Sequence, residues 1–304
     1  MIKKTIKEAV AYSLLQTYRE DHKAMDGIVS VFFHDPPKKL FESVLEWLKA
    51  NGYTFISVKE LDGLIHSEGQ KPPDRKLAFI SFDDAWRGNL ELIKSIEKYQ
   101  APIAIFVPTE AIAEGNYWWE YAGIKGQHLH TGIKDVESFK KLPGPKFRKK
   151  IKTLKERFHL HRSSMTKKEL VILSKHGLVT LGSHTVTHPI LEQCTPERQA
   201  FELIESKNKL SEWLNHEIEY LAYPNGDFDE HTLKIAHETG YRLCFSTLPG
   251  RINVENVNPY IIPRNSIEDD QGYYESISKL LGVWQKFKSP WNRKPGVEVP
   301  GFCA

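Results

Sequence analysis

Two adjacent carboxylates, Asp83 and Asp84, follow the apolar run Leu77–Phe82, and two histidines spaced i, i+4, His184 and His188, follow a second run at 177–181. Carboxylates at the end of a buried strand need a cation or a hydrogen-bond donor, because an unpaired charge there is costly to remove from water. One Asp and two His at neighbouring strand ends are the donor set of a catalytic metal centre with an open coordination position. Neither half of the pattern is specific by itself. Adjacent Asp residues more often cap a helix or form a turn, and His pairs at this spacing arise by chance. Their shared position at strand ends favours metal-assisted hydrolysis over both bland readings.

The elements that would carry these residues alternate along the chain. Residues 27–33 read as a buried strand stopped by His34-Asp35-Pro36-Pro37, where proline bars strand and helix alike. A helix over 40–50 closed by Asn51-Gly52, a strand over 54–58 and a helix over 60–66 follow. After the Asp-Asp strand come a helix over 89–99 and a strand over 102–107. Thr166 and Glu169 open a helix with a capping-box pattern, and the strand that follows it delivers the histidines. Thr195-Pro196-Glu197 starts a long helix to Trp213, and strands are expected at 218–223, 244–247 and 261–264, with a helix at 231–239. Such alternation predicts parallel strands with right-handed crossovers and ligands at their carboxyl ends. His34, Asp83, Asp84, His184 and His188 all fall there.

The bulk numbers bound the answer without deciding it. A chain of 304 residues with 40% hydrophobic and 27% charged residues suits one α/β domain spanning 1–304. A net charge of +3 gives no nucleic-acid footprint. Three widely spaced cysteines, Cys194, Cys244 and Cys303, suggest neither a disulfide framework nor a thiolate zinc site. Lys3 and Lys4 are followed by apolar residues that Glu8, Gln16 and Arg19 interrupt, so no signal-peptide core is visible, and no run of 18 apolar residues exists. The expectation is a cytoplasmic protein with reduced thiols. Ile2, Ile6, Val10, Leu14 and Tyr18 draw a stripe along an N-terminal helix that would cover a barrel or sheet, the sharper alternative being a membrane-surface helix.

The regular alternation breaks at about 109–165, where the sequence reads as an irregular insertion that shapes a substrate site. It holds the aromatic cluster Tyr117-Trp118-Trp119, which serves either simple packing or sugar stacking. Its basic segment at 146–157 reads as a solvated helix face in preference to a site for phosphate-bearing ligands. His128, His130, His159 and His161 form two His-x-His pairs in polar sequence, read as solvent-exposed. A proline- and lysine-rich tail occupies about 285–304.

Together these motifs resemble the polysaccharide deacetylases of carbohydrate esterase family 4. The stretch SFDDAWRGN is similar to that family's Thr-Phe-Asp-Asp-Gly motif, SHTVTHP to its His-(Ser/Thr)-x-x-His motif, and the segment from Leu221 to its third region. The resemblance runs from about 27 to 267 and implies a distorted, incomplete (β/α)7-type barrel. It implies that Asp83 is the catalytic base and that Asp84, His184 and His188 hold a divalent metal, zinc first, with cobalt or nickel as alternatives. That metal would polarise an N-acetyl carbonyl and its bound water, from which Asp83 takes a proton. Tyr223, Pro224 and Asn225 of the third region, with Trp118 and Trp119, become substrate contacts.

The chain departs from the family pattern in three places. Ala85 replaces a Gly. The third motif's Arg is missing, since Ala222 and Tyr223 stand there, and Arg264 is the candidate to steady Asp83 instead. The late Leu-x-His that supplies the acid is also missing, because the last histidine is His237. Phe33-His34-Asp35 resembles the Tyr-His-Asp of members with permuted motif order, which makes His34 the acid. The implied activity is removal of N-acetyl groups from amino sugars of a polysaccharide or glycan precursor. A cytoplasmic location would favour a lipid- or nucleotide-linked precursor and transient membrane association. The rivals are hydrolysis of another amide or formamido sugar on the same fold, and a glycan-binding domain without catalysis.

Overall fold

The computed structural model describes residues 2–17, 27–67, 75–125, 128–129, 133–142 and 144–288. Tyr18, His130, Cys303 and positions 289–304 of the tail lie outside the described residues.

The strands follow the apolar runs. β1 (Ile28–Phe33), β2 (Thr54–Ile56), β3 (Leu77–Phe82) and β4 (Ile103–Val107) precede the insertion, which contributes a small hairpin, β5 (Ile124–Lys125) and β6 (His128–Leu129). β7 (Val179–Ser183), β8 (Tyr220–Ala222), β9 (Leu243–Phe245), β10 (Arg251–Ile252) and β11 (Asn265–Ser266) follow. The curled main sheet runs β10-β1-β3-β4-β7-β8-β9, with β2 also on β3 and β11 on β1. Within the main sheet, every pairing along the path from β1 through β3, β4, β7 and β8 to β9 is parallel, as the strand-helix alternation requires. β1, β3 and β4 are buried at every residue, as strands covered on both faces are.

Alternation within β3 sorts its side chains. Ala78, Ile80 and Phe82 face the helix-covered core, while Leu77 and Phe79 face the barrel interior with Phe106, Leu243, Phe245 and Ile252. Continued by two, the same period turns Ser81 and then Asp83 inward. The barrel is stitched shut by residues 262–266. Ile262 bridges Phe245 of β9, and Asn265 and Ser266 pair with Val31 and Phe32 of β1. The last strand was expected at 261–264. The paired residues are instead Asn265 and Ser266, which leaves Arg264 in the seam itself.

Local signals explain the other boundary shifts. The strand expected to reach 58 stops at Ile56 because Ser57 and Glu60 form a capping box that starts a helix at Val58. The helix expected over 89–99 begins as a 3-10 turn, Arg87–Leu92, before Ile93–Tyr99. The insertion is not irregular. It contains the helices Thr109–Glu114, Trp118–Ala122, Ile133–Lys140 and Gly144–Arg157 and a core of its own from Trp118, Ala122, Phe139 and Ile151. The basic helix buries Ile151 and leaves its lysines and arginines largely in solvent, so its charge masks its periodicity. The N-terminal helix Ile2–Thr17 packs mainly on the helix Tyr273–Leu280, where Glu8 accepts from the backbone N–H of Tyr274 and Glu275. Among the described side chains Ala11 is buried and Leu14 and Leu15 pack on the core, while Ile6 stays 57% exposed, so the expected stripe is covered at Leu14 but not at Ile6. Among the described residues no helix is long and apolar enough to cross a membrane. Cys194 and Cys244 are free thiols.

Candidate active site

The inward turn at the end of β3 brings Asp83 to Arg264. The guanidinium donates to both carboxylate oxygens, at 2.7 and 2.9 Å, and also to Ser81 Oγ at 3.0 Å and the Ser246 carbonyl at 3.1 Å. Arg264 is fully buried, with its charge over the rings of Phe32 and Phe106 at 4.4 and 5.3 Å. Burial pushes the Asp83 carboxyl up, but the charge and hydrogen bonds of Arg264, with His184 and His34, hold it below the usual carboxylate range. Arg264 thus reaches Asp83 from the closing seam, the pairing the sequence reading looked for.

Asp84 turns the other way because its backbone is left-handed, at φ 72°, and Ala85 follows at φ 54°. Alanine tolerates that region at a cost of about 1–2 kcal/mol, so the glycine of the related motif is replaced at some expense. Asp84 Oδ1 lies 3.6 Å from His184 Nε2 and 3.4 Å from His188 Nε2, and Trp86 Nε1 donates to Asp84 Oδ2 at 3.2 Å. The histidine loop has the same character, with Thr185 at φ 66° and His188 at φ 53°. Strained backbone of this kind persists where the surroundings over-determine it. Buried Glu202 does so here by accepting from the N–H groups of Val186 and Thr187, both at 2.8 Å.

The three side chains fit a divalent cation. Among the described residues, Asp84, His184 and His188 are buried with their ligand atoms within 4.8 Å of one another. Asp84 Oδ1 is buried without a hydrogen-bond partner, which is costly unless a cation completes it. His184 Nδ1 is 2.7 Å from the Ala222 carbonyl, which fixes the proton on Nδ1 and leaves Nε2 as the donor to a metal. Burial, then His184, pushes His188 well below its ordinary value, so it stays neutral and able to ligate. Burial raises the Asp84 carboxyl against the opposing pull of His34 and His184.

A cavity of about 660 Å³ opens over this cluster, within the size range of small-molecule sites. His34, Asp83, Asp84, His184, His188, Asn225, Trp118 and Trp119 line it, as the sequence led one to expect. Burial opposes protonation of His34, but the charges of Asp84, Asp83, Glu268 and Asp269 outweigh it and raise the imidazole. Arg264 acts from behind Asp83 and does not line the cavity.

Two expected contacts are displaced. Tyr223 is fully buried in the hydrophobic core with its hydroxyl on the Tyr260 carbonyl at 3.1 Å, and Pro224 is buried in the turn. Of the Tyr223-Pro224-Asn225 turn, Asn225, at φ 56°, reaches the cavity, and Thr247 joins it from the far end of the third region. The exposed His159 and His161 stand outside the metal-like cluster. The sequence reading missed Trp86, Val136, Lys140, Glu268 and Asp269, which line the cavity together with Phe32, Thr247 and Ser266. Trp86 lies three residues past Asp83 and was within reach of the motif. The others come from helix and loop faces that no motif marks.

Fold and site together define a metal-site-bearing, deacetylase-like barrel. The sequence profile described as polysaccharide deacetylase matches residues 70–244, more than half of the chain, and the chain belongs to that family. It is 25% identical over 215 residues to the putative polysaccharide deacetylase YxkH of Bacillus subtilis (strain 168), covering 70% of this chain and 59% of that protein. It is 26% identical over 256 residues to the poly-beta-1,6-N-acetyl-D-glucosamine N-deacetylase of Staphylococcus aureus (strain MRSA252), covering 81% of this chain and 71% of that protein. The fold matches the Streptococcus pyogenes deacetylase PplD, solved in complex with acetate, with a TM-score of 0.62 and 20% identity over 84% of this chain and 99% of that one. The distorted (β/α)7 barrel expected from the motifs is the observed architecture.

Proposed function

We propose that the chain is a divalent-cation-dependent hydrolase that removes N-acetyl groups from the amino sugars of a poly-N-acetylglucosamine. The observation that carries this reading is the buried cluster of Asp84, His184 and His188 beside an arginine-paired Asp83, in one cavity with His34. A bound cation, zinc being the best match to one carboxylate and two imidazoles, supplies Lewis acidity at the amide carbonyl and lowers the pKa of water.

The remaining work belongs to the chain's own side chains. Asp83, oriented by both guanidinium nitrogens of Arg264, takes the proton of the attacking water. The water oxygen bonds to the carbonyl carbon, the carbon–nitrogen bond breaks, and His34 gives a proton to the departing sugar amine. Acetate and a free amino sugar result. Trp119 and Trp86 present aromatic surface to the sugar, while Lys140, Asn225, Glu268 and Asp269 offer polar contacts at the wall. The choice of a β-1,6-linked polymer follows the activity for which the Staphylococcus aureus relative is named.

The test is acetate release from β-1,6- and β-1,4-linked N-acetylglucosamine oligomers by the wild type beside Asp83→Asn and His34→Ala. The reading expects release from the β-1,6 oligomer and a loss of 10²-fold or more in kcat in each variant, the range of general acid–base groups. Release of formate from N-formyl analogues with no acetate release would replace it with the formamide reading.

A further inference from the structure

Asp84 and His188 share a feature that the barrel strands do not supply. Both have left-handed backbone, at φ 72° and 53°, and the carbonyl of each accepts a hydrogen bond from the insertion. Tyr117 Oη donates to the Asp84 carbonyl at 2.9 Å, and Trp118 Nε1 donates to the His188 carbonyl at 3.0 Å. The two donors are consecutive residues, so one short segment spans the two turns that carry the carboxylate and the imidazole.

We propose that Tyr117 and Trp118 are positioning residues, a clamp that fixes the spacing of Asp84 and His188 and thereby sets the affinity of the site for its cation. This rests on the reading of Asp84, His184 and His188 as cation ligands.

The rings are placed for this task and not for stacking on a sugar. Tyr117 is 2% exposed, with Trp86 at 4.3 Å and Trp119 stacked at 4.6 Å and 13°, so its ring is covered by neighbouring aromatics. Trp118 is 6% exposed and packs edge-to-face on Phe147 at 5.0 Å and on Trp119 at 5.5 Å. Trp119, only half-buried, remains as the insertion tryptophan with surface to offer a ligand.

The clamp is itself anchored. Glu120 accepts from the Tyr117 N–H at 2.7 Å and from Ser163 Oγ at 2.8 Å, and Asn116 Nδ2 donates to the His161 carbonyl at 2.7 Å. The far end of the insertion returns to the same turn, where the Met165 N–H donates to the Ala85 carbonyl at 3.0 Å and the Arg87 N–H to the Ser163 carbonyl at 2.8 Å. Removing either donor leaves a buried carbonyl unpaired in a turn that is already strained. A ligand displaced in this way costs the cation about 10- to 100-fold in affinity, the usual effect of losing an outer partner of a metal ligand.

The experiment measures the zinc dissociation constant by competition with a chromophoric chelator for the wild type, Tyr117→Phe, Trp118→Phe and Phe139→Leu. The melting temperature of each metal-free protein and the visible spectrum of each cobalt-loaded one are recorded alongside. Tyr117→Phe removes a single hydroxyl and is read first, since Trp118→Phe also removes ring volume from the insertion core. Phe139→Leu loosens that same core without touching either hydrogen bond.

The clamp predicts zinc affinity weakened about ten-fold or more in both donor variants, with a shifted cobalt spectrum. It predicts a melting temperature near that of the wild type for Tyr117→Phe. Phe139→Leu should melt lower and bind zinc as the wild type does. Wild-type affinity in Tyr117→Phe and Trp118→Phe, or an equal loss in Phe139→Leu, overturns the clamp alone. A wild type that binds no zinc overturns the ligand reading and the clamp with it.

Discussion

The barrel and the insertion hold their active-site residues by different means. On the barrel, position comes from strand pairing: β3 lies in register with β1 and β4 through Phe82, and the next residue, Asp83, is aimed by alternation at an arginine in the closing seam. On the insertion, position comes from side-chain hydrogen bonds and a small core around Trp118 and Phe139. The barrel therefore fixes which groups meet, and the insertion fixes how the two ligand turns are spaced and what covers them. A barrel fault should be felt by the whole fold, and an insertion fault should stay local.

The largest effect should come from Arg264→Met. It leaves Asp83 buried and without its partner, which costs about 3–5 kcal/mol when one half of a buried pair is removed. The urea midpoint of the entire protein should fall, and Asp83→Asn added to it should recover part of the loss. An unchanged midpoint would mean that the seam does not close the barrel energetically.

Next in size is Ile151→Ala, the buried side chain of the basic helix. The deletion costs about 2 kcal/mol or more in a packed core. Amide exchange should rise in the helices Trp118–Ala122 and Gly144–Arg157 while β1, β3 and β4 keep their protection. Equal loosening of the barrel strands would erase the contrast between the two regions.

The smallest is Thr166→Ala. Thr166 Oγ1 accepts from the Glu169 N–H at 3.2 Å at the start of the helix Lys167–Leu173, and Glu169 in turn binds Arg87. Loss of such a cap costs about 1 kcal/mol, read as a shift in the urea midpoint with an unchanged slope.

The same contrast governs what the sequence made legible. Asp83, Asp84, His184 and His188 sit next to apolar runs, so their elements and their common barrel end could be read from periodicity and strand-end chemistry. Arg264 could be paired with Asp83 only through the family resemblance, because the seam that joins them is 181 residues away in sequence. The insertion misled for a physical reason. Its helices are short and charged, and the longest of them buries one isoleucine, so no apolar stripe announces it. Tyr223 misled in the opposite sense. It stands next to a motif turn, yet alternation along β8 sends its ring into the core, and it is Asn225, in a left-handed turn two residues on, that reaches the cavity. The hydroxyl of Tyr117 and the indole of Trp118 carry no sequence mark that they bind backbone carbonyls rather than sugar.

The most direct measurement is the metal content of the purified protein, wild type beside His184→Ala, by elemental analysis after equilibration with zinc and removal of excess. His184 presents Nε2 to Asp84 while its Nδ1 is held by the Ala222 carbonyl. The account predicts one zinc per chain in the wild type and a loss of it in the variant, with the fold retained. A wild type without zinc, or a variant that keeps it, would contradict the assignment of Asp84, His184 and His188 as the metal site.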